Sequence, residues 1–142
     1  MKNCYLLYGN ENYIKDKKLK SIEAHTVDEA NKLMNYNVFE GKTCNVGNLI
    51  DECETLPFLS EKKCIVVKNS QLFKTGRKDD TDKLATWIPN LPEYATLIFL
   101  ENDIDRRNKL YKTISKIAVI EICECPNESG VRKIIEEIYG DD

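Results

Sequence analysis

Gly9, Lys15 and Asp16 in "YGNENYIKD" stand in the register of a phosphate-binding loop, since an apolar run, "CYLLY", leads into a glycine and then into a charged stretch of helical character. The consensus G-x-x-x-x-G-K-[ST] requires a second glycine where the backbone approaches the phosphates, a lysine for the β and γ oxygens, and a hydroxyl for magnesium. Here Gly9 and Lys15 keep their places, but Ile14 brings a branched side chain to the close-approach position and Asp16 replaces the hydroxyl. Glu11 adds a carboxylate to a space meant for anions. The loop formed by Gly9, Ile14, Lys15 and Asp16 is therefore degenerate and is expected not to bind nucleotide. Lys15 reads as a solvated lysine on a basic helix face with Lys17, Lys18 and Lys20, while Tyr13 and Ile14 read as helix anchors into the core.

Nucleotide hydrolysis also needs acids that organise magnesium and activate water at the end of a neighbouring strand. The run "CIVV" ends in Lys68 and Asn69, which can do neither. "TLIFL" is followed by Glu101 and Asn102, but this acid comes one strand later, in the place of a sensor strand. Other chemistries fare no better. The single histidine, His25, disfavours Ser-His-Asp and Cys-His nucleophile schemes. The cysteines, Cys4, Cys44, Cys53, Cys64, Cys123 and Cys125, contain no C-x-x-C pair, so a zinc site would have to be assembled from scattered thiolates. Small buried hydrophobes are the better reading, above all for Cys4 and Cys64 inside apolar runs.

Short apolar runs bounded by turn residues alternate with stretches of helical spacing. Strands are predicted at "CYLLY" from Cys4, "NVFE" from Asn37, "CIVV" from Cys64, "TLIFL" from Thr96 and "AVIEIC" from Ala118. Three of these are nearly continuous apolar runs, as strands covered on both faces must be. Helices are predicted around Ile14, Leu19 and Ile22, around Val46, Leu49, Ile50 and Cys53, around Leu84, Trp87 and Ile88, and around Leu110, Tyr111 and Ile114. The third is shut down by "PNLPEY". A terminal amphipathic helix is predicted in "ESGVRKIIEEIYG", and "KTGRKDDTDK" from Lys74 reads as a solvated loop. The expected fold is an α/β three-layer sandwich with a five-stranded, mostly parallel sheet and right-handed crossovers. The loop after the first strand then lies at the carboxyl edge of the sheet, where such folds bind ligands.

A chain of 142 residues with 42% hydrophobic and 32% charged residues closes one layered core. It holds no apolar run of membrane-spanning length and no secretory signal pattern at "MKNCYLLYGNENY", so a cytoplasmic location is the default expectation. A net charge of -3 with both signs interspersed argues against wrapping nucleic acid, so any DNA role is expected to be indirect.

One stretch remains, "TLPFLSEKK" from Thr55. Proline blocks continuation of the preceding helix, and Leu56, Pro57, Phe58 and Leu59 then follow before the charged Glu61, Lys62 and Lys63. From the residues alone, this is either a helix-terminating turn tucked into the core or an exposed apolar site.

The runs "YLLYGNENYI", "NVFEGK", "ETLPFLSEKKCIVVKNSQLF" and "ATLIFLENDIDRRNKLYKTI", in this order and spacing, resemble the delta subunit of the bacterial DNA polymerase III clamp loader over essentially the whole chain. The resemblance implies an AAA+-like, P-loop NTPase-like N-terminal domain without ATPase activity or cofactor. It implies a clamp-binding domain at 1–126, with 127–142 a helix leading into a lid domain that the chain lacks. The function implied is a non-catalytic component of a DNA-directed DNA polymerase holoenzyme, acting as a wrench that binds and opens the sliding clamp for loading onto primed DNA. In that family an adjacent apolar pair enters a clamp pocket. The matching residues here are Phe58 and Leu59, with the aromatic first where the family puts an aliphatic residue first, and the clamp-binding site implied is Pro57, Phe58 and Leu59. The other loader subunits would be met through the lid and collar domains, and this domain would be a monomer. Two rival readings stay open, an active NTPase and a receiver-like or flavodoxin-like module binding a small anion at the same sheet edge. The receiver option wants paired acids after the first strand, and "YGNENY" supplies only Glu11.

Overall fold

The computed structural model describes residues 3–26, 35–41, 44–74 and 76–123. Along the chain these form β1 (Cys4–Tyr8), α1 (Asn12–Thr26), β2 (Tyr36–Glu40), α2 (Val46–Glu54), β3 (Lys63–Lys68), α3 (Lys78–Trp87), β4 (Ala95–Glu101), α4 (Lys109–Ile114) and β5 (Val119–Ile122). The five strands lie in the order β2-β3-β4-β1-β5. Every pairing is parallel, which makes the sheet more uniform than "mostly parallel".

The order explains the residue patterns. β3, β4 and β1 have neighbours on both sides and are buried almost throughout, whereas the edge strands β2 and β5 are largely half-buried. Alternation along each inner strand sends successive side chains to opposite faces. Leu6, Ile65, Val67, Leu97 and Phe99 enter one core with Leu49 of α2, Leu84 of α3 and Ile114 of α4. Leu7, Cys64, Val66, Ile98 and Leu100 enter the other with Ile14 and Leu19 of α1. These are the three layers. On the larger side the rings of Phe73 and Phe99 meet edge to face, 5.0 Å apart, a geometry that adds to the gain from burial.

Local chemistry sets the helix ends. Asn45 caps α2 by accepting from the Asn48 amide at 3.0 Å. The segment expected as a solvated loop from Lys74 ends at Arg77, and "KDDTDK" opens α3. Asp79 and Asp80 fall in its first turn, where they complement the helix dipole. Thr81, Leu84 and Ala85 face the core, so the charges cover only the outer side. Pro89 turns the end of α3 into a short 3-10 segment, Ile88–Asn90. Of the two expected anchors in α1, Ile14 is buried and Tyr13 is exposed.

Cys4, Cys44, Cys53, Cys64 and Cys123 are free and buried. Burial pushes the thiols of Cys4 and Cys53 up to about 12, so they are packed groups and not nucleophiles at neutral pH. Among the described residues no helix is long and apolar enough to cross a membrane. Cys125 and the helix expected over 127–142 lie outside the described residues.

Candidate functional site

β1, β3 and β4 end together at the carboxyl edge of the sheet, around a cleft of about 190 Å³ lined by Asn12, Lys15, Asp16, Lys68, Asn69 and Asn102 with Leu100. The loop after β1 is short. Gly9, at φ 138°, makes the turn and donates its amide to the Glu101 carbonyl at 3.1 Å. The Glu11 amide bonds to Cys123 at 2.9 Å, and α1 begins at Asn12. Residues that would wrap around phosphates thus already lie in the first helical turn. The carboxylate of Glu11 accepts the Tyr13 amide at 3.2 Å, so a side chain of the protein sits at the helix terminus where an external anion would bind.

Lys15 is not the solvated lysine expected from its basic neighbours. It is only 5% exposed, and its ammonium donates to Asn102 Oδ1 at 2.5 Å and to the Glu101 carbonyl at 3.3 Å. Desolvation lowers its pKa, with Cys123, Glu101 and Glu11 pulling the other way. The physical reason was present in the helix period. Lys15 precedes Leu19 by four residues and Ile22 by seven, which puts it on the inner face of α1. It latches that helix to the end of β4.

Glu101 is also committed internally. It is buried, and its carboxylate accepts from the Ser70 amide and hydroxyl, both at 3.2 Å. Asn69 and Gln71 on either side of Ser70 have left-handed backbone angles, φ 50° and 68°. The segment therefore forms a concave turn whose amides point at one anion, and that anion is Glu101. Burial raises its pKa to about 6 against the opposing bonds from Ser70 and Gln71.

The opposite, amino edge of the sheet carries the loop between α2 and β3, roughly 20 Å away along six residues of strand. Leu56 and Leu59 are each 75% exposed and Phe58 is 49% exposed, with Pro57 half-buried between them. The core-turn alternative for these side chains is thus not what the fold adopts. Leu59 has φ 52°, an uncommon conformation for a non-glycine residue that must be held by its surroundings.

Two buried polar side chains hold the backbone beneath them. Asn35, fully buried, donates from Nδ2 to the Phe58 carbonyl at 2.8 Å and accepts the Phe58 amide on Oδ1 at 2.6 Å. Lys63, which follows the charged Glu61 and Lys62, is 2% exposed. Its ammonium donates to the carbonyls of Glu52 at 2.6 Å and Thr55 at 3.1 Å and to Glu52 Oε1 at 2.9 Å. A cation thereby caps the carbonyl end of α2. The alternation of β3 was the available signal, because Lys63 shares a face with Ile65 and Val67. Nothing in the sequence points to Asn35, which lies 23 residues from its partner. Trp87 Nε1 donates to Glu54 Oε2 at 3.1 Å and the Tyr94 hydroxyl bonds to the Glu54 carbonyl, fixing the same helix end from the other side.

Comparison with known proteins follows the same outline. The solved Bacillus subtilis DNA clamp loader delta protein superposes with a TM-score of 0.85 at 24% identity, covering 98% of this chain and 43% of that one. A DNA polymerase III gamma subunit-related protein from Thermotoga maritima superposes with a TM-score of 0.55 at 18% identity, covering 94% of this chain and 44% of that one. Both superpositions show a shared α/β fold. In sequence, the chain is 30% identical over 122 residues to the DNA polymerase III subunit delta of Bacillus subtilis, which covers 80% of this chain and 35% of the relative. The chain thus spans about a third of the length of that curated relative. The family model described as DNA polymerase III, delta subunit, matches residues 5–124. By that match, supported by the sequence relative, this chain belongs to the DNA polymerase III delta subunit family.

Proposed function

We propose that this chain is the clamp-engaging, ATPase-inactive part of a clamp-loader delta subunit, which binds the ring-shaped sliding clamp and helps to open it for loading onto primed DNA in replication. The observation that carries the reading is the exposure of Phe58 and Leu59 on a loop whose backbone is pinned from beneath. Large apolar side chains presented together in this way fit a partner pocket, and a few such anchors commonly dominate an interface. Pro57 restricts the chain immediately before them and completes the candidate clamp-binding site.

The cleft at the carboxyl edge supports the non-catalytic half of the proposal. Lys15 is engaged with Asn102, Glu11 holds the helix terminus, and Glu101 fills the turn around Ser70. The same geometry speaks against the rival readings of an active NTPase and of an anion-binding module. In this reading other loader subunits are met through parts of the protein beyond this domain, the domain itself is monomeric, and DNA is contacted only indirectly.

Calorimetric titration tests both halves on one preparation. The cognate sliding clamp should give saturable heat, and Mg-ATP should give none that fits a dissociation constant below about 100 μM, equivalent to roughly 5 kcal/mol. Absence of clamp binding, or ATP binding tighter than that limit, would sink the corresponding half.

A further inference from the structure

We infer that Asn35 is a positioning residue for the partner loop. Its side-chain amide substitutes for a neighbouring strand by pairing with both the amide and the carbonyl of Phe58, and so holds the loop in its binding conformation before any partner arrives. The inference rests on the proposal that Phe58 and Leu59 engage the clamp.

The contrast in burial motivates it. Asn35 is fully buried, while the two side chains carried by the backbone it grips stand in solvent. A carboxamide offers an acceptor and two donors on one rigid plane, and here Oδ1 and Nδ2 reach the same residue at 2.6 and 2.8 Å. A loop that merely had to close the gap between α2 and β3 would not need this. Its base is already fixed by Lys63 on Glu52 and Thr55, and its far end by the Lys63 amide on the Tyr94 carbonyl at 2.8 Å. Asn35 acts between these two points, at the residue that would enter a pocket. Leu59, next in the chain, keeps its left-handed angle on the C-terminal side of that grip. Without Asn35 the loop would sample other conformations in the free protein, and ordering it would be charged against binding. The specific consequence is that Asn35 acts on affinity through Phe58 without touching the partner.

Amide hydrogen exchange combined with clamp titration tests this on the 142-residue chain. In the unsubstituted protein the Phe58 amide should exchange at least about tenfold more slowly than an unprotected loop amide, despite its exposed side chain. In Asn35→Ala that protection should vanish, the amide of Phe99 in β4 should keep its own, and clamp affinity should fall about tenfold. Should the alanine variant fail to fold, Asn35→Asp keeps the size and the acceptor but loses the donor when ionised, and it should show the same two losses in smaller measure. Unprotected exchange at Phe58 in the starting protein, or lost protection with unchanged clamp affinity, would overturn the inference. A Phe58→Ala, Leu59→Ala double variant measured alongside separates the two levels. If it binds the clamp normally, the partner-site reading falls and takes the inference with it; if it loses binding while Asn35→Ala does not, only the positioning role falls.

Discussion

At the carboxyl edge of the sheet, charged side chains stand where a nucleotide's phosphates would be met, yet Glu11, Lys15 and Glu101 each face a partner from the chain itself. At the amino edge, Leu56, Phe58 and Leu59 face solvent, and the polar groups beneath them, Asn35 and Lys63, are spent on holding backbone. The first region has residue types suited to catalysis and offers little to a ligand. The second has residue types suited to a core and offers them outward. The two edges thus invert what their residue types suggest.

The largest expected effect lies under the apolar loop. Lys63→Met removes a buried cation from the carbonyls of Glu52 and Thr55 at the end of α2 and from the Glu52 carboxylate, leaving the two carbonyls without that donor. Stability to urea should fall by about 3 kcal/mol or more. A change below about 0.5 kcal/mol is what a rim lysine would give, and it would dissolve the contrast between a fixed backbone and exposed side chains.

The next effect is at Glu101, whose pKa in the fold is about 6 against an ordinary 4.5. A raised carboxyl pKa means that the native state holds the proton more tightly than the unfolded chain. Stability from this group is therefore lost as pH rises from 4.5 to 6 and returns as pH falls through that window. The difference in unfolding free energy between the starting protein and Glu101→Gln should grow by up to about 2 kcal/mol in favour of the starting protein between pH 7.5 and 4.5. A pH-independent difference would mean that the turn around Ser70 does not bury a titrating carboxylate.

A smaller loss is expected from Lys15→Met, about 1 kcal/mol in the same urea assay, from the two hydrogen bonds that latch α1 to β4. Unchanged stability would return Lys15 to the solvent and with it a free cation to the cleft.

The sequence is most readable where one period dominates. β1, β3 and β4 stood out because strands covered on both faces must be apolar throughout, and α2 stood out because Val46, Leu49 and Cys53 recur on one face. The start of α3 was hidden by charges that line its outer side while Thr81, Leu84 and Ala85 face inward. Lys15 and Lys63 show where charge misleads, because helix and strand periods turn both of these lysines inward. The apolar loop was visible as residues, but its exposure is a tertiary fact. Its backbone is met by Asn35, a partner brought across 23 positions beside the pairing of β2 with β3, and no local pattern encodes that.

Clamp affinity and melting temperature, measured together on Phe58→Ala with Leu59→Ala, test the division between the two edges. Truncating an interface anchor costs on the order of 2 kcal/mol, or about thirtyfold in affinity, so the pair should abolish measurable clamp binding. The melting temperature should barely move, because side chains already in solvent contribute little to the fold. Unchanged clamp affinity, with a melting temperature lowered to match a stability loss of roughly 3 to 5 kcal/mol for an emptied core site, would contradict the assignment of this loop to a partner.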